Sequence, residues 1–157
     1  MKRKRNDNDE EEHEVLLSVT NNKILFYSDI TYRSCFKLIN AIDEANEYLS
    51  SLSNIDNENY IYLHICSDGG DVYPALSVID VIEKSKHKII TVNEGCVASA
   101  AVLISMAGHQ RYIRSNSYML IHEIRSSCWG KFSECQDDMK NNKIICNTIY
   151  FHQRLPF

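Results

Sequence analysis

The sequence predicts an α/β fold. Three observations carry that prediction. Short β-prone runs alternate with stretches of helical period. One unit, residues 60–82, reads in full as strand, glycine turn and helix. The chain has 157 residues, 44% of them apolar and 24% charged, which is one domain's worth of ordinary globular sequence.

The elements follow in order. Residues 1–14 carry a basic run, Lys2–Arg5, then an acidic one, Asp9–Glu12 and Glu14, with no apolar residue from Lys2 to Glu14. Such a segment has nothing to bury and is expected to be disordered, leaving 15–157 as the folded domain. Val15–Val19 and Ile24–Ile30 read as strands around an Asn21-Asn22 turn. Ser34 is placed to cap a helix with Phe36, Ile39, Ile42, Ala45, Leu49 and Leu52 on one face. Residues 53–59 are a polar loop. Tyr60–Cys66 is a strand with Ile61, Leu63 and Ile65 on one side and Tyr60, Tyr62 and His64 on the other. Pro74 suits the first turn of the helix that Ala75, Leu76, Val78, Ile79 and Ile82 continue. Lys88–Val92 reads as a strand ending before Gly95, and Ala98–Ala107 as a small-residue helix stopped by Gly108. Arg111–Arg114 and Tyr118–Glu123 read as strands joined at Ser115-Asn116-Ser117. Phe132–Leu155 is a long polar helix with Met139, Ile144, Ile145, Ile149 and Phe151 as scattered apolar anchors. Strands separated by helices predict parallel pairing across each crossover.

Composition narrows the function. Seventeen Lys and Arg against 21 Asp and Glu give a net charge of −4, with no broad positive field for nucleic acid. No apolar run reaches the roughly 18 residues of a membrane span. No secretory signal pattern opens the chain, so a cytoplasmic location is expected. The cysteines, Cys35, Cys66, Cys96, Cys128, Cys135 and Cys146, include no Cys-x-x-Cys pair and no zinc-finger spacing, so most are expected to be reduced and none to bind metal.

Three segments carry chemistry. Ser67-Asp68-Gly69-Gly70-Asp71-Val72 follows a strand, and its paired glycines allow close backbone approach and donor N–H groups, for an oxyanion or an extended substrate strand. By itself this is also an ordinary strand-to-helix turn. Ser99, in Gly95-Cys96-Val97-Ala98-Ser99-Ala100-Ala101, stands between a strand and a helix, where a hydroxyl serves as a nucleophile or merely as a helix cap. His122 closes the apolar run Tyr118–Ile121 and can act as a general base near neutral pH. His64 competes for that role from mid-strand.

Gly70, Ser99 and His122 occur in that order, 29 and 23 residues apart. With "IYLHICSDGGDV" (61–72), "GCVASAAVLISMAG" (95–108), "RYIRSNSYMLIHEI" (111–124) and "ILFYSDITYRSCFKLINAI" (24–42), the chain resembles the proteolytic subunit of the ATP-dependent Clp protease, ClpP, over about Ile24–Leu155. The resemblance implies a crotonase-like fold, a superhelix of repeated β-β-α units with a long handle helix at 132–155. It implies a serine endopeptidase with Ser99 as nucleophile, His122 as base, oxyanion donors at the N–H groups of Gly70 and Ala100, and substrate contacts at Gly69 and Asp71. It further implies a homo-oligomer of two seven-membered rings, a tetradecamer, fed with unfolded polypeptide by an AAA+ unfoldase. ATP belongs to that partner, and no cofactor is expected on this chain.

The chain departs from the family pattern in three respects. Asp68 stands in place of Pro, Glu123-Ile124 in place of Gln-Pro, and the family's third triad residue, an Asp beyond the handle helix, has no counterpart in these 157 residues. Loss of a triad carboxylate costs on the order of 10⁴ in turnover. The alternative reading is therefore a weak or inactive ring subunit with a structural role. A crotonase-type acyl-CoA enzyme would share fold and oxyanion loop, but that chemistry relies on carboxylates rather than a Ser/His pair.

Overall fold

The computed structural model describes residues 14–52, 59–122 and 131–153, with side chains as far as Ile144. The charged tail lies outside these residues, apart from Glu14, as do most of the 53–59 loop and the segment after His122. The described chain is α/β. Its elements run β1 (Leu17–Thr20), β2 (Lys23–Phe26), α1 (Tyr32–Ser51), β3 (Ile61–Ser67), α2 (Val72–Glu83), β4 (Ile89–Ala98), α3 (Ala100–Met106), β5 (Gln110–Ile113), β6 (Tyr118–Leu120) and α4 (Phe132–Gln153). The sheet order is β1-β2-β3-β4-β5, with β6 pairing the far end of β4. The β1–β2 hairpin is antiparallel and every other pairing is parallel.

The core lies between one sheet face and helices α1–α3. Ile24 and Phe26 of β2, Ile61, Leu63 and Ile65 of β3 and Ile89 of β4 are buried against Leu38, Ile42, Val78, Ile82 and Ile104. Each such side chain contributes about 1.5–3 kcal/mol of transfer free energy. The other sheet face follows from the strand's period of two. It presents Tyr62, His64, Glu94 and Tyr112.

Several elements differ from the sequence expectation. Helix α1 is capped by Thr31, not Ser34. The Thr31 hydroxyl accepts from the Ser34 N–H at 3.1 Å and the Ser34 hydroxyl accepts from the Thr31 N–H at 2.9 Å, a reciprocal box. The buried stripe runs through Cys35, Leu38, Ala41, Ile42, Ala45 and Leu49, and Phe36, about 200° round the helix from Leu38, faces away and is 66% exposed. The second strand stops at Phe26, and Ile30 forms an isolated bridge to Gly70.

Strand β4 does not end before Gly95; it runs on to Ala98. Between the pairs Ile65–Asn93 and Ser67–Val97, β4 spends four residues where β3 spends two. That bulge absorbs Gly95 at φ 61. It carries the strand to Ser99, so α3 begins only at Ala100. Strands β5 and β6, joined at the expected 115–117 turn, do not pair with each other. Both lie parallel to β4, at 90–93 and 96–98, because the turn at 115–117 lets the chain step onward without reversing.

Along α4, the expected anchors Met139 and Ile144 are 70% and 64% exposed. The side chains of Ile145, Ile149 and Phe151 lie outside the described ones. Cys35, Cys66 and Cys96 are free, and burial pushes the Cys35 thiol up to about 11. Cys135, in contrast, is disulfide-bonded.

Candidate active site

The end of β4 turns sharply into α3 at Ser99, whose backbone sits at φ 53, ψ −125. A non-glycine residue in that region costs on the order of 1–3 kcal/mol and is held there only by its surroundings. The Ser99 N–H donates to the Leu120 carbonyl at 3.1 Å, and its carbonyl accepts from the Val102 N–H at 3.0 Å. Its side chain makes no capping bond, so the hydroxyl is not spent on the helix.

The glycine loop packs directly on this turn. A Cβ on Gly69 would stand 2.6 Å from the Ser99 Cβ, 2.6 Å from the Ala98 carbonyl oxygen and 3.1 Å from the Ala100 nitrogen. Only glycine, here at φ 98, allows that approach. The loop itself is pinned. The Ser67 hydroxyl accepts from the Gly69 N–H at 3.1 Å. The Ile30 N–H donates to the Gly69 carbonyl at 2.7 Å, and the Asp71 N–H donates to the Ile30 carbonyl at 2.8 Å. Those two bonds use the loop edge that faces Ile30. The exposed Gly70 therefore points its own N–H and C=O the other way, as alternate residues of an extended strand must. Gly70 is also fixed in identity, since a Cβ there would lie 2.2 Å from the Ile30 carbonyl oxygen.

The structure thus brings Gly69, Ser99 and Ala100 into contact, with Gly70 the next residue along the loop. Exposed His122 lies two residues beyond Leu120, whose carbonyl holds the Ser99 amide. Asp71 occupies the N-cap position of α2, exposed and without a side-chain capping bond.

His64 is committed elsewhere. Its Nδ1 lies 2.8 Å from Glu94 Oε1, which also accepts from Arg114 at 3.1 and 3.0 Å, while the Tyr27 hydroxyl donates to the other Glu94 oxygen. Sequence reading missed this cluster because its members come from four segments and meet only across the sheet. Burial alone would push the Glu94 carboxyl up, but the Tyr27, His64 and Arg114 contacts overcome it and hold the group at about 2. The same carboxylate raises the Tyr27 hydroxyl to about 12. A carboxylate depressed below its ordinary 4.5 stabilises the fold above that pH and loses its contribution as pH falls toward about 2. Melting temperature should accordingly drop between about pH 5 and pH 2, and less steeply in Glu94→Gln. Parallel curves for the two proteins would contradict this role for Glu94.

Among the described residues no group of His, Cys, Asp or Glu could hold a metal ion, and no helix is long and apolar enough to cross a membrane.

Comparison with known proteins agrees with this geometry. The Clp protease family model matches residues 11–150. The chain is 32% identical over 136 residues to the ATP-dependent Clp protease proteolytic subunit of Carsonella ruddii, covering 80% of this chain and 70% of that protein. It is 36% identical over 81 residues to proteolytic subunit 2 of Treponema pallidum, covering 50% and 41% of the two chains. It is 31% identical over 84 residues to the chloroplastic proteolytic subunit 6 of Arabidopsis thaliana, covering 52% and 31%. The matched segment thus spans less than half of the latter two relatives. A family match over residues 11–150, joined to a strained serine turn seated on a glycine loop, places this chain in the Clp protease family.

Proposed function

We propose that this chain is a serine peptidase subunit of a Clp-type protease acting on unfolded polypeptide. The observation that carries the reading is the Ser99 turn: a strained strand-to-helix elbow whose hydroxyl makes no capping bond, packed on Gly69 and bonded to the strand that leads into His122. In this reading an extended substrate lies along the outward edge of Gly69–Asp71, pairing with the Gly70 backbone. The Ser99 Oγ attacks the scissile carbonyl as His122 takes its proton. The resulting oxyanion is held by the N–H groups of Gly70 and Ala100. His122 then protonates the leaving amine, and water, activated by the same imidazole, releases the acyl group from Ser99.

The assembly belongs to the same reading. Residues 15–157 would form a crotonase-like unit with α4 as its handle. Phe132, Met139 and Ile144, all exposed on α4, would be covered by other copies in a ring, possessing in an AAA+ unfoldase a partner that delivers substrate. We expect a cytoplasmic tetradecamer. Light scattering on the full chain should give a mass far above a dimer, whereas an 18.2 kDa species would contradict the assembly.

Activity is tested by turnover of an unfolded, fluorescently quenched polypeptide. The reading expects slow cleavage that disappears in Ser99→Ala. Assembled, folded protein without any Ser99-dependent cleavage would favour a structural ring subunit.

A further inference from the structure

We infer that Ser105 and Asn93 are positioning residues for the reaction at Ser99, setting the rotation of α3 and with it the place of the Ala100 N–H. The inference rests on the peptidase reading above and deepens it. All seven residues of α3 are buried, and Ser105 is its only hydrogen-bonding side chain. The other side chains of α3, those of Ala, Val, Leu, Ile and Met, make apolar, non-directional contacts. Packing of that kind fixes depth better than it fixes rotation, and apolar swaps in cores lose uniqueness before stability.

The Ser105 hydroxyl supplies the missing direction. It donates to the Asn93 Oδ1 at 2.7 Å, and both residues are almost fully buried, at 1% and 2% exposure. Next to it, the hydroxyl of buried Thr91 donates to the Ser105 carbonyl at 2.7 Å, and Gly108 packs so closely that a Cβ would stand 2.5 Å from the Thr91 hydroxyl. Asn93 and Thr91 belong to β4, the strand that ends at Ser99. The two elements flanking the strained turn are therefore pinned to each other below it by buried polar bonds.

The geometry sets the scale. Cα atoms lie about 2.3 Å from a helix axis, so a 20° rotation moves the Ala100 Cα by about 0.8 Å and carries its N–H with it. Catalytic groups need placement within about 0.5 Å. A displacement near 1 Å can cost up to about a hundredfold in rate.

The test uses the full chain and three proteins: wild type, Ser105→Ala, and the double substitution Ser105→Ala/Asn93→Leu. Ser105→Ala leaves a buried acceptor unpaired and should lower the melting temperature; replacing both partners removes that penalty, so the double variant should recover stability. Fluorophosphonate labelling of Ser99 should reach full stoichiometry in both variants but about tenfold more slowly than in wild type. Exchange of the Ser99 and Val102 amides should be at least tenfold faster in both, relative to amides of β3. Labelling that recovers together with the melting temperature in the double variant would overturn the inference, since a merely structural bond behaves that way. Unchanged exchange at Ser99 in Ser105→Ala would also overturn it, and that result does not depend on any activity. Absence of labelling in wild type would sink the peptidase reading instead, and exchange alone would then decide whether the pair fixes α3.

Discussion

Gly69→Ala is expected to disrupt the Ser99 turn and lower stability together. The added Cβ would fall 2.6 Å from both the Ser99 Cβ and the Ala98 carbonyl oxygen, distances that real Cβ atoms do not tolerate. Neither neighbour is the end of a flexible side chain, so relief requires β4 or the loop to move. The residue also sits at φ 98, where a side chain is strained whatever the space. The φ penalty alone is on the order of 1–3 kcal/mol, and each kcal/mol lowers the melting temperature of a domain this size by about 2–4 °C. Thermal unfolding should therefore shift down clearly, and peptide cleavage should fall below detection at temperatures where the variant is still folded. The informative contrast is Gly95→Ala. Among the described residues its Cβ would meet only the Cys66 Sγ, at 3.2 Å, so it carries the φ penalty without the contact on Ser99. If both variants lose stability but only Gly69→Ala loses cleavage out of proportion, the loop positions the serine. Equal losses in both would reduce the glycine pair to a fold requirement.

The second large effect is expected at His122. In the peptidase reading the imidazole takes the Ser99 proton, so His122→Ala should lower peptide turnover by about 10²–10⁴-fold, the usual contribution of a positioned base. The His122 side chain is exposed, so its removal should leave the melting temperature within about 1–2 °C. His64→Ala should behave in the opposite way. It removes a buried partner of Glu94 and should destabilise the fold, with turnover lost only to the extent that folded protein is lost. A His64→Ala protein that is stable but inactive, beside an active His122→Ala, would exchange the two assignments.

What the sequence made legible was mostly local. The alternation in Ile61–Ile65 showed which face of β3 is buried, and Gly69-Gly70 after that strand showed where backbone comes close. The positions of Ser99 and His122 relative to the glycine loop were legible as order and spacing, and family resemblance gave those positions roles. What remained hidden depended on contacts that no pattern along the chain announces, most of them between distant segments. The cap of α1 moved to Thr31 because Ser34 serves better at the third helical position, bonding back to the Thr31 N–H. Strand β4 outlasted Gly95 because a bulge against β3 can absorb a glycine, and a bulge is a property of two strands rather than one. Strands β5 and β6 share β4 as a partner, which no local turn signal announces. The Tyr27–His64–Glu94–Arg114 cluster and the Ser105–Asn93 bond are likewise pairings across the sheet or between sheet and helix, and no spacing along the chain encodes them.

The central claim is that Ser99 is an activated nucleophile, and the most direct measurement is the site of covalent modification by a fluorophosphonate. Full-length protein is incubated with the probe, digested, and the adduct located by mass spectrometry. One adduct is expected, on Ser99, absent in Ser99→Ala, much slower in His122→Ala, and unchanged in Ser77→Ala on the exposed side of α2. An adduct on any other serine, or undiminished labelling of the Ser99→Ala protein, would contradict it.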